Sequence, residues 1–335
     1  METVDDVLAL FFGTTPADVR SLLTNSPDAC NRLSGWLADH PQPMCLGDAM
    51  FRGVLAHLVD VEAPGLLVEY PARCRTADGF YLPLPDDDPR WGRVSPLPDV
   101  YSTAQGAFLE AMLGDPDPPI SSGREAVSTM VQDWPISTLS SDTRIEYRKL
   151  SELLQQMHYC AALGVVASEE GPDPRLIGPA SKAYAYAMSS DYATAFATPL
   201  FRLVVAQQLP AYTFAAVQWD AQTVAPSVER LCLDDGVLEY RLEDKVDESA
   251  RHRSRSGRDQ QQPWTYSTAY GLISLCLVGA GGTNRASILR TTLLNRLANW
   301  PECEQEVRIK EFANTLVGSA TAYGAVAALS AVAMP

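Results

Sequence analysis

Residues 142–166 read DTRIEYRKLSELLQQMHYCAALGVV, and the spacing of their apolar side chains decides the fold class. Apolar residues recur there at steps of three and four, which bring side chains to one face of an α-helix. The members of this stripe are Leu150, Leu153, Leu154, Met157 and Ala161. Asp142 precedes them and is of a residue type that caps helix N-termini. The stretch therefore predicts a long helix with one buried stripe.

Other parts of the chain carry weaker helix signals of the same kind. Thr15-Pro16 and Ser26-Pro27 each place a capping side chain ahead of a proline, the residue favoured at the first helical position. Gly47-Asp48 opens a third amphipathic run. Further helices are predicted over 181–208 and over 304–334. These signals favour a mainly α protein.

Two segments have the pattern of β-hairpins. In residues 66–84, two apolar stretches flank Ala77-Asp78-Gly79, and in residues 231–242 the turn signal is Asp234-Asp235-Gly236. A long proline-rich loop, residues 83–98, follows the first hairpin candidate. The predicted fold class is therefore mainly α with minor β hairpins, built as irregular helical domains with long Pro-rich loops.

The chain carries 41 acidic and 26 basic side chains, a net charge of −15. Residues 1–120 hold 18 of the acids and only 7 arginines, so most of the negative charge belongs to the first third. A surface of this sign repels phosphate backbones, which argues against a protein built mainly to bind nucleic acid.

The charge asymmetry and a proline-rich break over 114–122 suggest two parts. Residues 1–120 are predicted to form an acidic N-terminal subdomain of short helices plus a hairpin. Residues 121–335 are predicted to form a larger helical subdomain with a β hairpin near 231–242 and a long C-terminal helix.

Seven cysteines are scattered singly, and residues 1–6 lack the basic start of a secretory signal. We expect reduced thiols in a cytoplasmic compartment, or in a virion if the protein is viral. Cys30, His40, Cys45 and His57 are the only local set able to gather a metal, and their spacing lacks the close pairs of zinc sites. We therefore expect no metal.

No complete catalytic motif such as GxSxG or HExxH is present. His158 and Cys160 are two residues apart, so on a helix they point about 200° apart and cannot act on one another. These observations favour a non-enzymatic protein without a cofactor.

Residues 273–284 are the nearest approach to a cofactor-binding motif. The run from Ile273 to Val278 has the pattern of a strand and enters a glycine turn before a helix; the turn holds Gly279, Gly281, Gly282, Thr283 and Asn284. Free N–H groups at such a helix start can hold a phosphate. Asn284 replaces the third glycine of the dinucleotide motif, and no P-loop lysine follows. A buried segment that turns into a helix capped by Thr283 or Asn284 is the alternative.

One dense basic cluster interrupts the acidic chain, and it consists of Arg251, Arg253, Arg255 and Arg258. It is the segment most suited to limited contact with nucleic acid or with an acidic partner. The acidic run over 239–248 precedes it, so a solvated loop whose charges pair with that run is the alternative.

Residues 312–335 are uncharged over a length sufficient to cross a bilayer. Ala320, Gly324 and Ala328 follow small-xxx-small spacing, which lets helices approach closely. The run is rich in alanine and contains several hydroxyl side chains, which favours a helix buried in protein over a membrane anchor. We predict that these three residues serve oligomer packing and that no membrane is a partner.

By elimination, the leading hypothesis is a non-enzymatic structural protein that assembles with copies of itself or with a larger protein assembly. Its most specific form is a viral capsid (shell) or capsid-associated protein. One alternative is an enzyme or ligand-binding protein that uses the Gly-rich phosphate-binding turn at 279–284. Another is a membrane-tethered adaptor with a C-terminal anchor.

Overall fold

The computed structural model describes residues 4–91, 97–114, 117–132, 143–165, 171–188, 197–207, 219–232, 239–240, 262–263, 265–301 and 313–335. In this part of the chain, most residues are helical, and the predicted mainly α class is confirmed. The helices are α1 (Val4–Phe12), α2 (Pro16–Thr24), α3 (Pro27–Asp39), α4 (Leu46–Leu58), α5 (Gly65–Cys74), α6 (Val100–Leu113), α7 (Asp117–Val131), α8 (Thr143–Val165), α9 (Pro174–Met188), α10 (Ala197–Ala206), α11 (Ala221–Leu231), α12 (Thr265–Leu277), α13 (Asn284–Ala298) and α14 (Ala313–Ala333).

Four helices, α4, α6, α12 and α14, are buried around nearly their whole circumference. In α12 every side chain from Thr265 to Leu275 is buried, and in α14 the same holds over 324–332. α14 packs against α2, α4, α12 and α13, and α4 also packs against α6. A helix that is buried all round belongs to the interior, so these helices form the centre of the described core.

Small residues allow the buried helices to approach closely. An added Cβ at Gly106 of α6 would lie 2.1 Å from the ring of Tyr81, and one at Gly123 of α7 would lie 2.7 Å from the Ala107 Cβ. Because neither contact is sterically allowed, only glycine permits these approaches at the observed distances.

Some polar side chains at the buried helices form hydrogen bonds with nearby backbone. Asp99 accepts the Ser102 N–H at 2.7 Å and caps α6. Thr103 Oγ1 accepts the Tyr81 N–H at 3.3 Å, and Ser274 Oγ donates to the Tyr270 carbonyl at 2.7 Å. Such bonds remove most of the cost of burying a hydroxyl group.

The helix predicted over 142–166 is confirmed as α8. Leu153, Leu154, Met157 and Ala161 of its apolar stripe are buried; the Leu150 side chain lies outside the described residues. The predicted cap at Thr15 is also confirmed, because its Oγ1 accepts the Asp18 N–H at 3.4 Å.

The two predicted hairpins are not shown. Residues 65–74 form helix α5, and only an isolated antiparallel bridge, Arg75 with Tyr81, flanks the Asp78-Gly79 turn. In the second segment Leu231 ends α11, while the short strand β1 (Glu239–Tyr240) pairs with β2 (Gln262–Pro263). Residues 234–236, the predicted second turn, lie outside the described residues.

The described part of the proline-rich loop after Leu82 is fastened to the α3–α4 connection. Leu46 N–H donates to the Pro83 carbonyl at 2.9 Å, and Arg90 Nη1 donates to the Met44 carbonyl at 2.6 Å. Asp88 is held by the same arginine at 2.7 Å. The apolar core is a continuous cluster with members from both sides of residue 120. The division into 1–120 and 121–335 stays a prediction.

Candidate functional site

The glycine turn at 279–284 connects two helices rather than a strand and a helix. The segment predicted as a strand, Ile273 to Val278, is the end of α12 and the residue that follows it, so that interpretation was wrong. Gly279 has φ +77°, and the Ala280 N–H donates to the Leu275 carbonyl at 2.8 Å. A left-handed glycine with this backbone bond is a common way to end a helix.

The second half of the turn starts α13. Thr283 Oγ1 accepts the Ala286 N–H at 3.3 Å, so the predicted threonine cap is present. A Cβ at Gly281 would lie 3.1 Å from the Pro335 carbonyl, whereas Gly279 and Gly282 face open space. Phosphate binding at this turn stays a prediction, because capping alone accounts for these residues.

The outer face of α13 is defined by Ser287, Ile288, Thr291, Leu294, Asn295 and Ala298, and all six side chains are exposed. None is charged. The three arginines of this helix are engaged elsewhere: Arg285 pairs with Glu229, Arg290 Nη2 donates to the Met334 carbonyl at 2.9 Å, and Arg296 Nε donates to Thr265 Oγ1 at 2.8 Å. The face is therefore an uncharged strip on a strongly acidic protein.

The small residues of α14 lie within the core of one chain. Gly324 and Ala328 are buried, and the Ala320 side chain lies outside the described residues. α14 as a whole packs against α4 and α12 of the same chain. The role of these small residues in oligomer packing stays a prediction. No described helix, α14 included, combines the length and apolar character that crossing a membrane requires.

The remaining predicted contact residues, Arg251, Arg253, Arg255 and Arg258, lie outside the described residues. In the part of the chain that is described, no three metal-ligating side chains gather into one group. His57 Nε2 lies 2.8 Å from Asp5 Oδ1, and His40 stacks on Trp36.

A buried arginine lies on α10, which packs against α8 and α12. Arg202 of α10 exposes only 8% of its surface. Within the described residues, its guanidinium has neither a carboxylate partner nor a hydrogen bond. Its charge acts on Tyr101, Tyr159 and Tyr323, and on His158.

Three tyrosines are among the groups on which the Arg202 charge acts. Burial raises the pKa of the Tyr101, Tyr159 and Tyr323 hydroxyl groups, and the nearby Arg202 charge partly opposes that rise. The rings of Tyr101 and Tyr159 meet edge to face with 4.6 Å between centroids, and Gln105 Nε2 donates to the Tyr159 hydroxyl at 3.5 Å. The phenols are therefore neutral hydrogen-bonding groups at neutral pH.

His158 is the second buried polar side chain of this cluster. It exposes 3% of its surface, and its Nδ1 has no hydrogen-bond partner among the described residues. Burial, with a smaller contribution from the Arg202 charge, lowers the pKa of His158 to about 3. The imidazole is therefore neutral at pH 7, and Arg202 supplies the positive charge of the cluster.

No protein-family model, curated protein or solved structure matches this chain. We therefore infer function from the burial, contacts and charges of its own residues.

Sequence reasoning missed three buried charged residues, Asp48, Arg52 and Arg202. Asp48 and Arg52 are almost fully buried, and Asp48 Oδ2 lies 2.8 Å from Arg52 Nε. The two residues are four positions apart on α4, and this i,i+4 spacing of opposite charges is visible in the sequence. Arg202 interrupts the apolar run Leu200 to Ala206, and a lone charge inside such a run was the available signal. Its neighbours come from distant segments, so no local pattern reveals the cluster.

Proposed function

We propose that the protein is a non-enzymatic structural protein that acts by self-assembly. The observation that supports this proposal is the uncharged outer face of α13. It exposes Ile288 by 37% and Leu294 by 41%, two of the large apolar side chains left at the described surface. Exposed apolar side chains on one face are a feature of protein–protein contacts.

A second copy of the same chain is the binding partner that best suits this face. Two molecules, each carrying −15, repel one another wherever acidic surfaces meet. In a symmetric contact a helix face meets its own copy, so any charge on the face meets a like charge. The outer face of α13 carries none, and Ser287 and Ala298 are small enough for close helix approach.

The most specific form of the proposal is a viral capsid (shell) or capsid-associated protein. An acidic wall does not adhere to an enclosed nucleic acid, which suits a container. We propose Arg251, Arg253, Arg255 and Arg258 as the segment for limited contact with that nucleic acid or with a larger assembly. We propose that the protein resides in the cytoplasm, or in the virion if it is viral.

Light scattering on the untagged full chain at low micromolar concentration, in low and high salt, tests the proposal. We expect a defined oligomer or a large closed particle, with mass that rises with salt because screening reduces repulsion. The double variant Ile288→Lys/Leu294→Lys is expected to scatter as the 36.4 kDa monomer. Electron microscopy of the same samples distinguishes closed shells from small oligomers.

Leu66→Lys is the matched control, because Leu66 is also an exposed apolar residue (52%) but lies on α5. It is expected to leave the oligomer intact. A wild-type chain that stays a 36.4 kDa monomer at both salt concentrations would contradict self-assembly.

A further inference from the structure

Three ionisable side chains from three helices meet near the end of α4. Asp5 lies on α1, Arg20 on α2 and His57 in the last turn of α4. Arg20 donates to both carboxylate oxygens of Asp5, from Nη1 to Oδ2 at 3.1 Å and from Nη2 to Oδ1 at 3.2 Å. The three side chains are between 31% and 38% exposed, so the cluster is packed between helices but remains in reach of solvent protons.

One nitrogen of His57 lies between a donor and an acceptor. Its Nε2 is 2.7 Å from Arg20 Nη2 and 2.8 Å from Asp5 Oδ1. Arginine nitrogens only donate, and a carboxylate oxygen only accepts. An imidazole nitrogen donates when it carries a proton and accepts when it does not. Nε2 therefore forms a hydrogen bond with Arg20 or with Asp5, but not with both at once.

The protonation state of the ring decides which hydrogen bond forms. In the imidazolium both ring nitrogens carry protons, so Nε2 can only donate, and Asp5 is the acceptor beside it. The imidazolium also repels the guanidinium of Arg20, because two positive charges are then in contact. In the neutral ring with its proton on Nδ1, Nε2 accepts from Arg20, which keeps both bonds to Asp5. Protonation therefore favours separation of Arg20 from His57.

Asp5 and Arg20 keep their charges while His57 titrates. Burial acts to raise the pKa of the Asp5 carboxyl, but hydrogen bonds with His57 and Arg20 outweigh burial and hold that pKa below the ordinary value for aspartate. Arginine stays protonated throughout. Histidine is the side chain whose charge ordinarily changes between pH 5 and 8, so His57 is the titrating member of this cluster.

The helices packed against α4 carry other ionisable groups. These helices are α2, α3, α5, α6 and α14, and α14 has no charged side chain. On α4 itself, Asp48 and Arg52 pair with one another. The remaining ionisable side chains are Asp18 of α2; Asp28, Cys30, Arg32, Asp39 and the capping His40 of α3; Glu69, Tyr70, Arg73 and Cys74 of α5; Tyr101 and Glu110 of α6; Tyr323 of α14; and Asp60 and Glu62 after α4. The Asp6 side chain of α1 lies outside the described residues.

Apart from histidine, side chains of these types ordinarily keep one charge between pH 5 and 7.5. His40 stacks on Trp36 and is unchanged in every variant used below, so its own titration cancels from the comparisons.

We propose that Asp5, Arg20 and His57 form a pH-sensitive switch in which protonation of His57 transfers its hydrogen bond from Arg20 to Asp5. When His57 is neutral, Arg20 links α2 to α4. When His57 is protonated, Asp5 links α1 to α4. The cluster thus changes which of the first two helices is tied to α4, and it is separate from the outer face of α13.

Double-mutant cycles on the full chain measure the two contacts separately, by urea unfolding at pH 7.5 and pH 5. One cycle combines Arg20→Met with His57→Ala, and the other combines Asp5→Asn with His57→Ala. We expect the Arg20–His57 coupling to favour the folded state by about twofold to fivefold in the unfolding equilibrium constant at pH 7.5, and to vanish or reverse at pH 5. The Asp5–His57 coupling is expected to be of that size at pH 5 and to vanish or reverse at pH 7.5. Couplings that stay equal, or that change in the same direction, would overturn the switch.

NMR of the full chain labelled with 15N in its histidine rings locates the proton directly, and His57→Ala identifies the His57 signals. We expect Nε2 of His57 to be unprotonated at pH 7.5 and protonated at pH 5. An Nε2 that carries a proton at both pH values would contradict the proposal, because His57 would then donate to Asp5 throughout.

Glu229 and Arg285 are the matched control pair, because they link α11 to α13 without a histidine. Hydrogen bonding to Arg285 lowers the pKa of Glu229, so both charges persist at pH 5. The cycle of Glu229→Gln with Arg285→Met is expected to give the same coupling at both pH values. Buried His158 is present in every variant, so its effect on stability cancels from each cycle. A control coupling that changed as much as the other two would show that the pH effect does not belong to His57.

Discussion

At the scale of single residues, we expect mutation of the buried pair Asp48 and Arg52 to change stability most. Asp48 Oδ2 accepts from Arg52 Nε at 2.8 Å and from the Met44 N–H at 2.7 Å. The Arg52 guanidinium also lies 4.5 Å from the centre of the Trp36 ring. Asp48 Oδ1 is buried without a partner among the described residues, and burial raises the pKa of this carboxyl.

Arg52→Met is expected to lower the free energy of unfolding by roughly 3–5 kcal/mol, because it leaves the Asp48 carboxylate buried without its counter-charge. Urea unfolding followed by circular dichroism at pH 7 measures the change. The double variant Asp48→Asn/Arg52→Met removes both charges and is expected to recover part of the loss.

Arg73→Met is the control for this prediction. Arg73 pairs with Asp87 at 3.4 Å, but their side chains are 54% and 80% exposed. Exposed pairs contribute about 0–1 kcal/mol, so little change is expected. A double variant as unstable as Arg52→Met would show that lost packing, rather than the unpaired charge, causes the effect.

At the scale of elements, the molecule depends on how closely its buried helices approach their neighbours. Gly106 lies where α6 passes over the ring of Tyr81, and a methyl group there has no space. Tyr81 is itself fully buried, so its ring cannot move toward solvent. The contact therefore sets the position of α6 in the core.

Gly106→Ala is expected to destabilise the protein by about 1–3 kcal/mol or more, the usual cost of overpacking a core. Gly35→Ala is the matched control, since Gly35 is also helical but a Cβ there meets no atom within 4 Å. It is expected to stabilise by roughly 0.5–1 kcal/mol, because alanine favours helices over glycine. Thermal unfolding of the two variants checks the contrast, and equal Tm values would contradict it.

At the scale of the whole molecule, buried titratable groups set how stability depends on pH. The folded protein holds His158 neutral, with its pKa lowered from 6.5 to about 3. Between these pH values the unfolded chain binds one more proton at this residue than the folded chain does. The contribution of His158 to the free energy of unfolding is therefore fully present above pH 6.5 and falls as the pH drops toward 3.

His158 alone is expected to contribute a slope of about 1.4 kcal/mol per pH unit over this range. His158→Phe removes the titrating group and replaces it with a ring suited to its aromatic neighbours, Phe11 and Phe201. Urea unfolding of both proteins at pH 6.5, 5.5 and 4.5 is expected to show the shallower dependence in the variant. Equal slopes would mean that His158 is not held neutral.

Local sequence signals predicted helices that bury one face, and helix starts that are capped by neighbouring residues. α8 has one buried face, so its apolar spacing revealed both the helix and the residues that are buried. The Thr15-Pro16 pair located the start of α2 because capping involves only residues close in the chain. The Thr283 cap of α13 could be predicted from the sequence for the same reason.

The same signals failed for a helix that is buried on all sides and for a short run of apolar residues. The end of α12 was interpreted as a strand because a helix buried on all sides shows no helical period. The residues of α5 were assigned to a hairpin arm because a short apolar run fits either structure, and the Asp78-Gly79 turn specifies only its own geometry.

The sequence by itself determined the mainly α class, the stripe of α8, the Thr15 cap of α2 and the acidic charge, whereas Ser26 makes no side-chain capping bond. These properties depend on neighbouring residues or on composition. The tertiary structure alone decided which helices are wholly buried, that the outer face of α13 is uncharged, and that the Arg202 charge acts on Tyr101, His158 and Tyr323. Those residues lie on four different helices, and only the packing of the chain brings them together.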